Sequence, residues 1–303
     1  MEYVLQLEHI TKAYRHHLAV DQVSFQVPKQ SIFGLLGPNG AGKTSLIRII
    51  TTITRADSGR VILNGQPLNS KHPTQIGYMP EERGLYKKMK VGDHLLYLAQ
   101  LKGLSKSEAK HRIQGWLEKF SIEDWWNKKI EELSKGMQQK IQFISTVVHR
   151  PQLLILDEPF SGLDPINTNI IKEEIELLRQ EGASIIFSTH RMEQVEEICE
   201  HIVLINQGRN ILEGRVQEVR EQFKENQFDI RFAGTLSDRL RDQLHILDEK
   251  PNALTLQVDS NTDPNQLLHQ LMQGGLSILG FQEILPTLNQ IFIQQVEHQT
   301  PLV

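Results

Sequence analysis

Cysteine is almost absent: the single Cys199 excludes an internal disulfide and a cysteine-based structural zinc site, and it suits a reducing compartment. Long hydrophobic runs are missing too. The longest apolar stretches, "IFGLLG" and "LLILD", fall far short of the roughly 18 residues that a membrane-spanning helix needs. The opening "MEYVLQLEHI" has neither a basic n-region nor an apolar h-region, so no secretion signal is expected. Positive charge is not in excess. With Lys+Arg 33 against Asp+Glu 37 the net charge is -4, so no global basic footprint points to nucleic acid, and no nucleic-acid partner is expected. Together these gaps predict a cytoplasmic chain that reaches the cytoplasmic face of a membrane only through another polypeptide.

What is present is the composition of an ordinary folded protein, 39% hydrophobic and 23% charged. At 303 residues the chain exceeds the size at which one core stops growing, which predicts a large domain and a smaller one. From Val4 to Val27, the alternation in "VLQLEHI" and "VSFQV" predicts half-exposed antiparallel strands. "SIFGLLG" is continuously apolar, as expected of a strand buried on both faces of a parallel sheet, and it leads through a glycine-rich turn into the helix-like "TSLIRIITTIT". Residues 91–148 place apolar side chains at helical spacing and contain Trp116, Trp125 and Trp126, read as packing residues. "QLLILDEP" and "ASIIFSTH" return as buried strands around the helix "NTNIIKEEIELLRQEG", and "HIVLINQGRNILEG" reads as a hairpin turning at Gln207-Gly208. Beyond Val216, a polar helix, short alternating strands and two further helices predict a small separate α+β domain over residues 216–303.

Chemistry concentrates in the first 215 residues. "GPNGAGKT", from Gly37 to Thr44, fits the phosphate-loop pattern between a buried strand and a helix. Gly37, Asn39, Gly40, Ala41 and Gly42 turn backbone N–H groups toward phosphate oxygens, with Pro38, which has no N–H to give, inside the same turn and Ser45 just behind in the helix. Lys43 is expected to reach the β- and γ-phosphates and Thr44 to offer a hydroxyl to Mg²⁺. "LLILDEP" ends a buried strand in two acids: Asp157 suits the Mg²⁺ and Glu158 suits a general base that polarises water. In "ELSKGMQQK", Ser134 and Gly136 precede a helix expected to start near Met137. That is either an ordinary Ser cap or a second anion site of the same physical kind.

The order of these motifs resembles the nucleotide-binding domain of ABC transporters. Phosphate loop, "LSKGM" signature, "LLILDEP", "SGLD" at Ser161 to Asp164 and "STH" ending at His190 follow one another over roughly residues 3 to 215. The resemblance implies an α/β P-loop NTPase of the ABC ATPase kind. Its parts are an N-terminal antiparallel β subdomain, a mainly parallel RecA-like core sheet and an α-helical signature subdomain at about 85–148, followed by the C-terminal α+β domain. It further implies that two such domains, as homodimer or heterodimer, pack head to tail around two ATP with Mg²⁺, so that Ser134 and Gly136 act in trans. His190 then contacts the γ-phosphate and the attacking water, Asp164 couples the two sites, and Tyr14 stacks on adenine. A separate transmembrane permease is the implied partner.

Departures from the family pattern are Lys135 for a glycine, Met137 for a glutamine, and Glu81 where most members carry the glutamine that contacts Mg²⁺. A carboxylate there is a hard metal ligand whose charge is tolerable while the cation is present. Glu82 and Arg83 are expected to face the permease or pair with each other. The segment "GYMPEERGLY" and the small C-terminal domain look like bacterial exporter ATPases of the sodium-efflux type. The expectation is an ATPase motor of an exporter; the alternative is a non-transport ABC ATPase acting on the ribosome or nucleic acid.

Overall fold

Two long strands, β1 (Tyr3–Tyr14) and β2 (His17–Pro28), pair antiparallel, as the alternating pattern predicts. In the computed structural model, which describes residues 2–82, 84–259 and 261–299, the chain divides between Arg215 and Val216 into two compact units. Arg83 lies outside the described residues.

In the first unit β3 (Ile32–Leu36) is buried at every position and runs through the phosphate loop into α1 (Lys43–Ile50). That helix is shorter than its apolar periodicity suggests. Thr51 ends it and Thr52 takes a φ of 62, so "TTIT" is a turn. Next, β4 (Ser58–Leu63) and β5 (Gln66–Pro67) join the first two strands in an antiparallel sheet of order β2-β1-β4-β5. The apolar pattern does not mark this hairpin, although the Asn64-Gly65 turn, with positive φ at both residues, announces it.

After β6 (Ile76–Met79) comes a helical insert of α2 (Val91–Leu101), α3 (Lys106–Lys119) and α4 (Lys135–Val147). Trp116 packs on Phe120 and Phe143, with ring centroids 5.7 and 6.0 Å away. Trp126 lies on Gly92, where an added Cβ would fall 2.4 Å from the indole. α4 begins at Lys135, with Ser134 as its cap, two residues before the expected Met137.

The remaining elements are β7 (Leu153–Asp157), α5 (Pro165–Gln180), β8 (Ser184–Ser188), α6 (Met192–Ile198), β9 (His201–Asn206) and β10 (Arg209–Arg215). The core sheet has the order β10-β9-β3-β8-β7-β6, parallel except for the β10 edge. Its turn into β10 uses Gln207 and Gly208, both at positive φ, as a two-residue hairpin demands. Register then places the site. Leu35 and Asp157 both align with Ser188, and Met79 aligns with Leu156, so the loops after β3, β6, β7 and β8 emerge side by side at the carboxyl edge.

The second unit is a β-α-β-β-α-β arrangement flanked by two helices. Its elements are α7 (Val216–Gln222), β11 (Gln227–Ala233), α8 (Asp238–Arg241), β12 (His245–Lys250), β13 (Ala253–Gln257), α9 (Pro264–Gln273), β14 (Ser277–Ile284) and α10 (Leu288–Gln299). The sheet order is β12-β13-β11-β14, all antiparallel. Phe228, Ile230, Phe232, Leu254 and Leu256 meet Leu240, Leu267 and Leu271 in its own core. Among the described residues no helix is long and apolar enough to cross a membrane.

Candidate active site

The phosphate loop is shaped by close backbone neighbours. At Gly37, with φ 147, a Cβ would lie 2.1 Å from the Ile205 carbonyl oxygen, and at Gly42, with φ 109, it would lie 2.4 Å from that of Ala19. Only glycine fits between β9 on one side and β2 on the other. Gly42 caps α1 without any side-chain hydrogen bond, which leaves the first N–H groups of the helix for an anion. Lys43 folds back over the loop. Its Nζ donates to the carbonyls of Gly37 at 2.6 Å and Pro38 at 3.0 Å. Burial pulls its pKa below the usual lysine value, while Asp157, Glu158 and Glu81 act in the opposite direction.

Asp157 ends β7 only 8% exposed and accepts a 2.8 Å hydrogen bond from the Ser188 hydroxyl. Burial pushes its pKa up, and the Ser188 bond opposes that shift. Glu158 follows with a φ of 51, a left-handed conformation that costs a non-glycine residue energy and is held here by its neighbours. Its N–H donates to the Ser188 carbonyl at 2.8 Å. One carboxylate oxygen accepts the His190 N–H at 2.8 Å and meets His190 Nδ1 at 2.6 Å; the other accepts the Thr189 hydroxyl at 3.0 Å. Glu158 and His190 are thus one bonded pair.

Two glutamines of α4 pin the loops that carry the acids. Gln142 Nε2 donates to the Pro80 carbonyl at 2.7 Å, just before Glu81, and Gln139 Nε2 to the Pro159 carbonyl at 2.8 Å, just after Glu158. Nothing in the sequence signals either contact.

These groups surround a cleft of about 290 Å³ lined by Tyr14, His17, Ala19, Asn39, Gly40, Ala41, Gly42, Lys43, Thr44, Ser45, Glu81, Asp157, Glu158 and His190. Gly37 and Pro38 sit beneath it and engage it through Lys43. Tyr14 is 40% exposed, with Lys12 Nζ 5.5 Å from its ring centroid. His17 and Ala19 were not anticipated; the tight turn that pairs Tyr14 with His17 brings them in. Glu82 is absent from the lining, so the two neighbouring acids part company at the cleft. A roomier hollow of about 510 Å³ beside Arg55 and Arg60 has neither a phosphate loop nor paired acids.

Ser134 and Gly136 are not brought to this cleft. Ser134 Oγ accepts the Met137 N–H at 3.3 Å as the cap of α4. Gly136 faces the loop of Gly162 and Leu163, whose nearest atom, the Gly162 carbonyl oxygen, would be 3.5 Å from an added Cβ. Asp164 caps α5, accepting the Asn167 N–H at 2.9 Å. The donor set of Thr44, Glu81 and Asp157 is all hard oxygen and fits Mg²⁺. Among the described residues no three His, Cys, Asp or Glu side chains converge to hold a metal by themselves. A Mg²⁺ at this place would therefore lean on phosphate oxygens for much of its coordination.

Residues 20–161 match the family described as ABC transporter, and residues 214–296 match the one described as ATP-binding protein DrrA1-3-like, C-terminal domain. The uncharacterized ABC transporter ATP-binding protein YhaQ of Bacillus subtilis (strain 168) is 45% identical over 295 residues, 97% of this chain and 98% of that one. The linearmycin resistance ATP-binding protein LnrL of the same organism is 31% identical over 302 residues, 96% of this chain and 97% of that one. A solved structure described as the ATP binding subunit of an ABC transporter superposes with a TM-score of 0.68 at 30% identity, covering 73% of this chain and 93% of that one.

Proposed function

The chain belongs to the ABC transporter ATP-binding proteins, whose ATP-binding domains hydrolyse ATP, and from that premise we propose that it is the ATPase motor of an exporter. One observation carries the chemical part of the proposal: Lys43, Thr44, Asp157, Glu158 and His190 line one cleft at the carboxyl edge of a parallel sheet. Lys43 exchanges its loop carbonyls for β- and γ-phosphate oxygens, and the open N-terminus of α1 receives the phosphates. Glu158, oriented by Thr189 and His190, accepts the proton of the attacking water. His190 moves with Glu158 as a bonded pair, so the histidine reports the γ-phosphate to the base. Thr44 and Asp157 would hold Mg²⁺, which supplies a positive charge to the phosphate oxygens as the β–γ bond breaks.

Dimerisation explains why Ser134 and Gly136 lie apart from the cleft. In a head-to-tail pair of chains, the capped N-terminus of α4 in one copy closes on the nucleotide held by the other, and Asp164 stands beside that junction. Absence of a membrane-crossing helix among the described residues fits a partner permease on a separate polypeptide. The relative named for linearmycin resistance supports the outward direction of transport.

Turnover by Glu158→Gln against wild type is the direct test. The amide keeps the size and loses the base, so hydrolysis should fall by about a hundredfold or more while ATP binding persists. Full turnover in the variant would overturn the mechanism. Co-purification from detergent-solubilised membranes tests the partner: a multi-span protein supports the motor, whereas ribosomes or nucleic acid in its place would overturn it.

A further inference from the structure

Three carboxylates, Glu81, Asp157 and Glu158, face a single lysine, Lys43, around the cleft of about 290 Å³. All three act electrostatically on the Lys43 ammonium, and Glu81 and Glu158 act on Asp157 as well. Asp157 and Glu158 are stabilised by donors of their own chain, the Ser188 hydroxyl on one and Thr189 with His190 on the other. Glu81 stands exposed at the cleft wall, one residue after a carbonyl that Gln142 anchors. The anchoring keeps this acid at the site. A triphosphate entering alone would bring several more negative charges against this surplus.

Resting on the nucleotide reading above, we propose that Glu81 makes the divalent cation a condition of binding. The cleft admits the triphosphate as its Mg²⁺ complex and rejects the free polyphosphate anion. No three His, Cys, Asp or Glu side chains among the described residues form a metal cage of their own, so the cation arrives with the polyphosphate. Once it is there, the Glu81 carboxylate turns from a repelling charge into a hard oxygen ligand. A single unit charge a few ångströms from the phosphates, in the effective dielectric of a partly exposed site, alters affinity by about tenfold to a hundredfold. Glu82 shares the loop and the charge but not the cleft lining, which makes it an internal control.

The test is calorimetric binding of the β,γ-imido analogue of ATP to the full chain, once with excess Mg²⁺ and once with EDTA. For wild type, removal of Mg²⁺ should weaken binding by about a hundredfold. In Glu81→Gln that ratio should shrink by about tenfold or more, chiefly because the Mg²⁺-free analogue binds better; Glu82→Gln should keep the wild-type ratio. An unchanged ratio in Glu81→Gln, with the Mg²⁺ complex still bound, would overturn this proposal alone. An equal collapse of the ratio in Glu82→Gln would overturn it too, since any loop charge would then serve. No binding of either form by wild type would overturn the nucleotide reading and this proposal with it.

Discussion

His94 carries a residue-scale cost, the burial of two polar ring nitrogens. It is fully buried in α2, its ring edge-on to Tyr86, and among the described residues neither ring nitrogen has a hydrogen-bond partner. Burial pushes its pKa down to about 4. The unfolded histidine, with a pKa near 6.5, binds a proton that the folded one refuses, so stability is full above about pH 6.5 and is lost as the pH falls toward 4. His94→Phe keeps the ring and removes both orphaned nitrogens. Unfolding midpoints at pH 7 and pH 5 should show the variant losing about 2 kcal/mol less than wild type across that interval. Equal losses would mean that the site admits water. At the same scale, Lys43, Asp157 and Glu158 were legible in the sequence because each follows an apolar strand with a fixed loop length. The bond between Glu158 and His190 was not legible, since it joins two strands 32 residues apart.

Elements in this protein are joined at points where one small residue admits one large one. Gly92 in α2 is such a point, with the Trp126 indole filling the place of its side chain. Gly92→Ala would force the indole away, and denaturant unfolding should show a loss of about 1–3 kcal/mol. A change below about 0.5 kcal/mol would mean that Trp126 has a second seat. The periodicity that marked the helices of the insert says nothing of this contact, nor of Gln139 and Gln142 reaching the acid loops. A glutamine on a helix looks the same whether it meets water or a carbonyl. Strand β12, "HILDEK", leaves no mark in the sequence, because all but one of its residues are exposed, half are charged and no apolar alternation remains. Strand β12 exists because β13 pairs with it.

The whole molecule is two units, each with its own core, and the cleft of the phosphate loop and paired acids is built from residues of the first. A ligand stabilises the unit that binds it, by about 2.7 kcal/mol at a concentration a hundred times its Kd. Calorimetry should show Mg²⁺ and the imido analogue raising the transition of the first unit. Leu256→Ala, which empties a fully buried position, should instead lower the transition of the second by about 2–5 kcal/mol. One transition responding to both would show that the chain unfolds as a single cooperative body. The sequence by itself determined the buried strands and the loops that follow them, the residue types of the site and, through the order of its motifs, the family, because short apolar runs and the glycines of a phosphate loop are local signals; the β4-β5 hairpin and β12 lay beyond it. It also separated Glu81 from an ordinary loop acid, but only as a position in a motif. Tertiary structure decided which side chains share the cleft. The parallel register of β6, β7, β8 and β3 carries Glu81, Asp157, His190 and the phosphate loop to one edge while leaving Ser134 and Gly136 elsewhere. Register arises from packing between strands distant in the chain, and no local pattern encodes it.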